Sequence, residues 1–102
     1  MNDGIRRLVA DALQGIDYSQ VILFGSRARG DSTAESDHDL LITVRGVLSL
    51  SEKIRIFGLV RRCLARHGID ADVIVKSEAE VEYLRDKIGS VVGSAVEEGV
   101  LL

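Results

Sequence analysis

Residues 21–44 read VILFGSRARGDSTAESDHDLLITV, and the fold turns on how that stretch divides. Val21, Ile22, Leu23 and Phe24 make a short apolar run that stops at Gly25, the pattern of a buried strand. His38 to Val44 returns to apolar, β-branched residues and reads as a second strand. Between them, Gly25 to Ser36 is small, polar and rich in turn formers. Gly25 follows a strand and Ser26 opens a helix-compatible stretch, which has two readings. In one, the glycine lets backbone approach a phosphate, and the helix N-terminus supplies N–H donors. In the other, the segment is a tight strand–helix turn and Ser26 is only its N-cap.

The acids at the start of the second strand carry more chemistry. Asp37 and Asp39 are two apart, so both point to one face of a strand and His38 points to the other. Two carboxylates held that close repel, and burial adds to the cost. A magnesium ion would resolve the repulsion, since it takes carboxylate oxygens and keeps other positions for water and phosphate. The alternative is an exposed strand end with solvated acids. A third acid, Asp72, precedes the apolar run Val73-Ile74-Val75, where a lone carboxylate is costly unless paired or metal-bound. Asp70 shares its face, so parity does not choose between them. Asp72 is preferred because it abuts the apolar run. If this strand lies beside the Asp39 strand, three carboxylates converge, as a two-metal site with ions about 3.5–4 Å apart requires.

Working outward, Ile5, Leu8, Val9, Ala12 and Leu13 recur at helical spacing, so Asp3 to Gln14 reads as an amphipathic helix. Asp3 is its expected N-cap and Gly15 its stop. Ser49 or Ser51 to His67 reads as a second helix burying Ile54, Phe57, Val60, Cys63 and Leu64, with Ser49 and Glu52 as a capping box. Gly68 ends it, and Ile69 to Val75 forms a third strand. Ser77 and Glu80 are another capping box, opening a helix that runs on, or restarts, toward Glu98. Gly89 and Gly93, four apart, would let a neighbouring backbone come close. Gly99 ends the helix and Val100-Leu101-Leu102 adds a last strand. The expected fold is α/β (α+β): a small mixed sheet of three to four strands flanked by helices, one domain over residues 1–102.

Composition narrows the function classes. Thirteen basic and sixteen acidic residues give a net charge of −3, which argues against nonspecific binding to long nucleic acid. Lys53, Arg55, Arg61, Arg62 and Arg66 nevertheless form a run with no acid between them. It reads as a solvated helix face or as a docking surface for an acidic partner or nucleotide. No apolar run approaches the ~18 residues that span a bilayer. The N-terminus lacks a signal-peptide pattern, so a cytoplasmic location and no membrane partner are expected. The single cysteine, Cys63, excludes an internal disulfide and fits a small core residue. His67, at a helix end, is favourably placed for positive charge. His38 reads as a hydrogen-bonded packing residue.

Gly25-Ser26, ten residues, then Asp37-His38-Asp39 resembles the nucleotidyltransferase superfamily that includes DNA polymerase β. The fuller run GSRARGDSTAESDHDLLI, the later DVIV and the tail GSVVGSAVEEGVLL are similar to its minimal (MNT-type) branch. His38 departs from the apolar residue expected between the acids. The resemblance implies a palm-like fold in which Gly25 and Ser26 hold a nucleoside triphosphate, most naturally ATP. It implies that Asp37, Asp39 and Asp72 are catalytic and bind two Mg2+ ions, with Mn2+ as an alternative. Arg27 and Arg29 fall inside the motif; either contacts phosphate, or Arg29 pins the loop through Asp31 or Asp37. Proteins of this branch resemble the antitoxin of modules whose toxin is a helical HEPN-type ribonuclease, and the implied reaction is AMPylation of a toxin tyrosine. The chain has only a catalytic half, so a partner protein or a second copy is expected to complete the site. Two rivals stand beside this: an antitoxin of the same fold acting by contact alone, and the catalytic subunit of a two-protein small-molecule nucleotidyltransferase.

Overall fold

The computed structural model of the chain describes residues 3–25, 30 and 37–102. Ser26, Arg27 and Arg29, and the short helix expected after Gly25, lie outside the described residues. The described elements are α1 (Asp3–Ala12), β1 (Tyr18–Phe24), β2 (His38–Val44), α2 (Leu50–Ala65), β3 (Ala71–Ser77), α3 (Glu78–Leu84), α4 (Val91–Glu98) and β4 (Val100–Leu101). They build a four-stranded sheet in the order β3-β2-β1-β4. β1 runs antiparallel to both β2 and β4, whereas β2 and β3 are parallel. A parallel pair needs a long crossover, and α2 supplies it.

The alternation of side chains explains how the layers form. One face of the sheet presents Val21, Leu23, Leu40, Ile42, Val44, Val73 and Val75, packed with Ile5 and Val9 of α1 and Ile56, Val60 and Leu64 of α2. The other presents Ile22, Phe24 and Leu41, packed with Val81 of α3 and Val92 and Ala95 of α4. β2 is thus central and covered on both sides, which is why its burial from Leu40 to Val44 is continuous rather than alternating. The mixed α/β sheet is the architecture the sequence implies.

Local chemistry fixes several ends. Ser49 caps α2 by accepting from the Glu52 N–H, and Glu52 reaches back to the Ser49 N–H. Ser77 and Glu80 do the same for α3. Gly15, Gly46 and Gly68 take positive φ where helix or strand stops. Other expectations shift. Asp3 lies within α1 rather than capping it, and pairs with Arg6 at 3.4 Å. β1 begins at Tyr18, before its apolar run. Because β4 pairs only with Ile22 and Leu23, the first residues of β1 have a strand on one side alone, which tolerates polar residues there. Of the two readings of the last helix, the restart is the one found: it breaks after Leu84 and resumes at Val91 under a Ser90 cap, and Gly89 is a turn residue with φ +79°. Gly93 does allow a close approach, since a Cβ there would meet the Arg85 carbonyl oxygen at 2.7 Å.

The buried face of α2 is also rephased. Ile56, Val60, Cys63 and Leu64 are buried, whereas Ile54 is 62% and Phe57 37% exposed. Cys63 is buried, with its thiol 3.5 Å from the Leu8 carbonyl oxygen. His67 lies just past α2 with Nδ1 3.0 Å from the Cys63 carbonyl oxygen.

Two stability predictions arise here. Lys53, the first of the basic run on α2, bonds Glu80 at 2.6 Å. Burial raises the Glu80 carboxyl, but the Lys53 hydrogen bond and charge, with the Ser77 N–H and hydroxyl, outweigh it and hold the pKa below its ordinary value. Stability from this lowered carboxyl is present above the ordinary glutamate range and is lost as pH falls through the folded value. Melts at neutral and acidic pH are therefore expected to show a larger acid loss for wild type than for Glu80→Gln, while Ser77→Ala costs about 1 kcal/mol at neutral pH. The second concerns Thr43, 2% exposed, whose hydroxyl has no hydrogen-bond partner among the described residues. Thr43→Val removes that unmet cost, and urea unfolding is expected to show equal or higher stability, by up to about 1 kcal/mol.

Candidate functional site

The sheet pairing sets where the acids fall. The parallel register places Asp39 opposite Asp72, and Leu41 opposite Ile74 two residues on. Side chains two apart share a face, so Asp39 and Asp72 lie side by side on the face that α3 and α4 cover deeper in the sheet. Both belong to the first residues of their strands, where the apolar cover has ended. Asp39 is half-buried and Asp72 exposed. Asp70 precedes β3 and is held by its backbone: its carbonyl oxygen accepts from the His38 N–H at 3.0 Å. This bond ties the mouths of β2 and β3 together. The register thus distinguishes the two acids that parity left equivalent.

Gly25 completes the mouth from the other side of β2. Phe24, its neighbour in sequence, is the register partner of Asp39. Gly25 takes φ +73°, and a Cβ on it would stand 2.1 Å from the Asp39 Oδ2. The chain therefore brings bare backbone against a carboxylate, and only glycine leaves room for both.

A cleft of about 230 Å³ opens at the same end of the sheet, lined by Asp37, Arg61, Ile69, Asp70, Ala71 and Asp72. The structure thus gathers Asp37 and Asp72 at one cleft and sets Asp39 beside Asp72 in register, though Asp39 does not line the cleft. Among the described residues no three His, Cys, Asp or Glu side chains stand together as a ready-made metal site. The donors suit a hard cation nonetheless. Magnesium is commonly held by one or two carboxylates, with substrate phosphates and water completing its shell, rather than by an all-protein cage.

Arg61 is the residue that sequence reading did not find here. It appeared only as one member of a basic helix run, and its placement comes from the packing of α2 on β3, which no local pattern encodes. Its guanidinium stands 5.7 Å from the centre of the Phe57 ring, at a cleft otherwise rich in acid. A cation there offsets like-charge repulsion and offers donors to phosphate. No helix among the described residues is long and apolar enough to cross a membrane.

Residues 5–100 match the model of the nucleotidyltransferase domain family. Two proteins of Methanocaldococcus jannaschii, each inferred to be a protein adenylyltransferase, are similar in sequence. One is 46% identical over 66 residues, covering 64% of this chain and 67% of the relative. The other is 38% identical over 84 residues, covering 81% and 76%. A Sulfolobus solfataricus crystal structure, of a protein inferred to be a nucleotidyltransferase, is 28% identical with a TM-score of 0.57, over 96% of this chain and 72% of that one. A toxin–antitoxin structure with AMP-PNP superposes with a TM-score of 0.62 at 19% identity, over 99% of this chain and 72% of that one. A mutant of the MntA–HpeT toxin–antitoxin pair gives 0.61 at 14%, over 99% and 71%. At those last identities the likeness is one of fold.

Proposed function

Because the chain belongs to the nucleotidyltransferase domain family, we propose that it transfers AMP from ATP to a tyrosine hydroxyl of a helical HEPN-type partner, and so acts as the antitoxin of that partner. The observation that carries the reading is the register of Asp39 with Asp72, with Gly25 backed against Asp39. The sequence relatives inferred to be protein adenylyltransferases support the acceptor class. The fold shared with toxin–antitoxin structures, one holding AMP-PNP, supports the nucleotide and the partner.

In this reading Asp37, Asp39 and Asp72 would hold two magnesium ions, or manganese in their place, which would supply positive charge against the triphosphate. Gly25 gives the phosphates access to backbone, and Ser26, Arg27 and Arg29 supply further donors to them. Arg61 lines the same cleft and would limit the repulsion between the acids and the nucleotide. The tyrosine oxygen bonds to the α-phosphorus, the bond from that phosphorus to its bridging oxygen breaks, and pyrophosphate leaves in line. The phenolic proton passes to solvent. The domain, residues 1–102, works in the cytoplasm as one unit, and a second copy is a further candidate for completing the site.

The test uses purified protein, lysate from the source organism, magnesium and ATP labelled at the α-phosphate. A labelled protein band whose modification maps to tyrosine, absent with EDTA and absent with γ-labelled ATP, is the expected result. Magnesium–ATP binding with no labelled protein would instead favour an antitoxin that works by contact alone.

A further inference from the structure

We infer that the exposed flank of α2 docks a separate protein chain, and that it takes an amphipathic helix whose apolar stripe is bordered by acidic residues. The inference deepens the transfer reading, on which it rests only for the identity of the docked protein as acceptor; the surface itself stands on its own observations.

Leu50, Ile54 and Phe57 are 73%, 62% and 37% exposed, and Val47, just ahead of the helix, is 98% exposed. With Arg61 the helical members are spaced four, three and four apart. At about 100° per residue they fall within roughly 60° of arc, a single ridge along the helix. The core is served by another face, that of Ile56, Val60, Cys63 and Leu64. α2 therefore carries two apolar faces, and the fold covers one.

Charge selects the occupant. Arg55, Arg61, Arg62 and Arg66 are exposed and make no ion pair among the described residues. Arg62 folds back over Gly58, its Nη1 2.7 Å from where a Cβ would stand, which brings its charge beside the ridge. Arg61 lies on the ridge and Arg62 about 80° round from Ile54, with Arg55 and Arg66 further round on the same side. The positive charge therefore lies along one side of the ridge and fits acidic residues on the facing side of the partner's stripe. It disfavours a second copy, because a two-fold interface on this face would set the arginines against themselves. The spacing is that of a helical ridge, which another helix's groove accepts.

The ridge also leads somewhere. Arg61 lies over the Phe57 ring and lines the cleft with Asp37, Asp70 and Asp72. A helix lying along the whole ridge, about 16 Å from Leu50 to Arg61, therefore has one end at the acids, where an adjoining hydroxyl would meet the nucleotide.

The experiment titrates the isotope-labelled full chain with a synthetic helical peptide of roughly 20 residues, carrying leucines at three-four spacing bordered by glutamates. Fluorescence anisotropy and amide shifts are read. Expected are shifts at Leu50, Ile54 and Arg61, binding weakened by salt, none to the peptide with lysine for glutamate, and about thirtyfold weaker binding by Ile54→Glu. Leu50→Glu, at an even more exposed position, repeats the test if Ile54→Glu melts early. No binding, shifts centred on α3 and α4, or equal binding by both variants would overturn the proposal. So would a dimer in sedimentation that either variant dissociates, since that assigns the face to a second copy. Magnesium–ATP titration of the same samples separates the two readings. Peptide binding without nucleotide binding defeats the transfer reading alone, and nucleotide binding without peptide binding defeats the docking face alone.

Discussion

Asp72→Asn is expected to cut nucleotidyl transfer about a thousandfold while leaving the melting temperature within about 2 °C of wild type. The two halves follow from different physics. Asp72 is exposed at the second residue of β3, away from the core, so replacing it removes no packing, and surface changes of that kind usually fall within about 0.5 kcal/mol. Its neighbour in register is another carboxylate, Asp39, so neutralising one of the pair relieves repulsion rather than breaking an attraction. The transfer step is the opposite case. A triphosphate brings several negative charges to the mouth, and a site that lacks one cation-holding carboxylate stabilises them less. Radiolabel transfer and a thermal melt on one preparation check both halves. A large loss of stability with unchanged transfer would make Asp72 a structural acid.

Gly25→Ala is expected to lower transfer at least about a hundredfold, the scale at which a displacement of about 1 Å is felt. Here the fold does pay something: φ +73° costs an alanine about 1 kcal/mol, a fall of some 4–8 °C in Tm for a domain of this size. The new Cβ would stand 2.1 Å from the Asp39 Oδ2, closer than any real contact. A side-chain tip can swing away where backbone cannot, so the chain still folds and the carboxylate leaves its place beside Asp72. The distinguishing signature is activity lost far out of proportion to stability. A control at Gly15, which also has positive φ but open space around its Cβ, is expected to lose the stability and keep the transfer.

These two positions also show what was legible beforehand. β2, from His38 to Val44, could be read to the residue, because a central strand shielded on both sides is apolar along most of its length, here at Leu40, Leu41, Ile42 and Val44. The capping boxes at Ser49 and Ser77 were equally plain, since each is closed by groups three residues apart. What depended on distant partners was not. α2 carries apolar residues on two faces, and only its packing on β3 decides that Ile56 goes in while Ile54 and Phe57 stay out. Whether the last helix runs on or restarts stayed open in the sequence, because the helical pattern is good on either side of the turn that Gly89 and the Ser90 cap make. Asp70 and Asp72 share a face by alternation, and only the register with β2 sets one of them opposite Asp39. Arg61 had no local signal for the cleft at all, being brought there by the crossover.

Manganese tests most directly whether a metal–nucleotide site lies at the joined mouths of β1, β2 and β3. Paramagnetic broadening of assigned amides is followed as manganese is added with a non-hydrolysable ATP analogue, and again without it. The prediction is nucleotide-dependent broadening centred on Gly25, Asp39 and Asp72, weakened in Asp39→Asn. Broadening centred on the turn around Gly89, or none that depends on nucleotide, would contradict it.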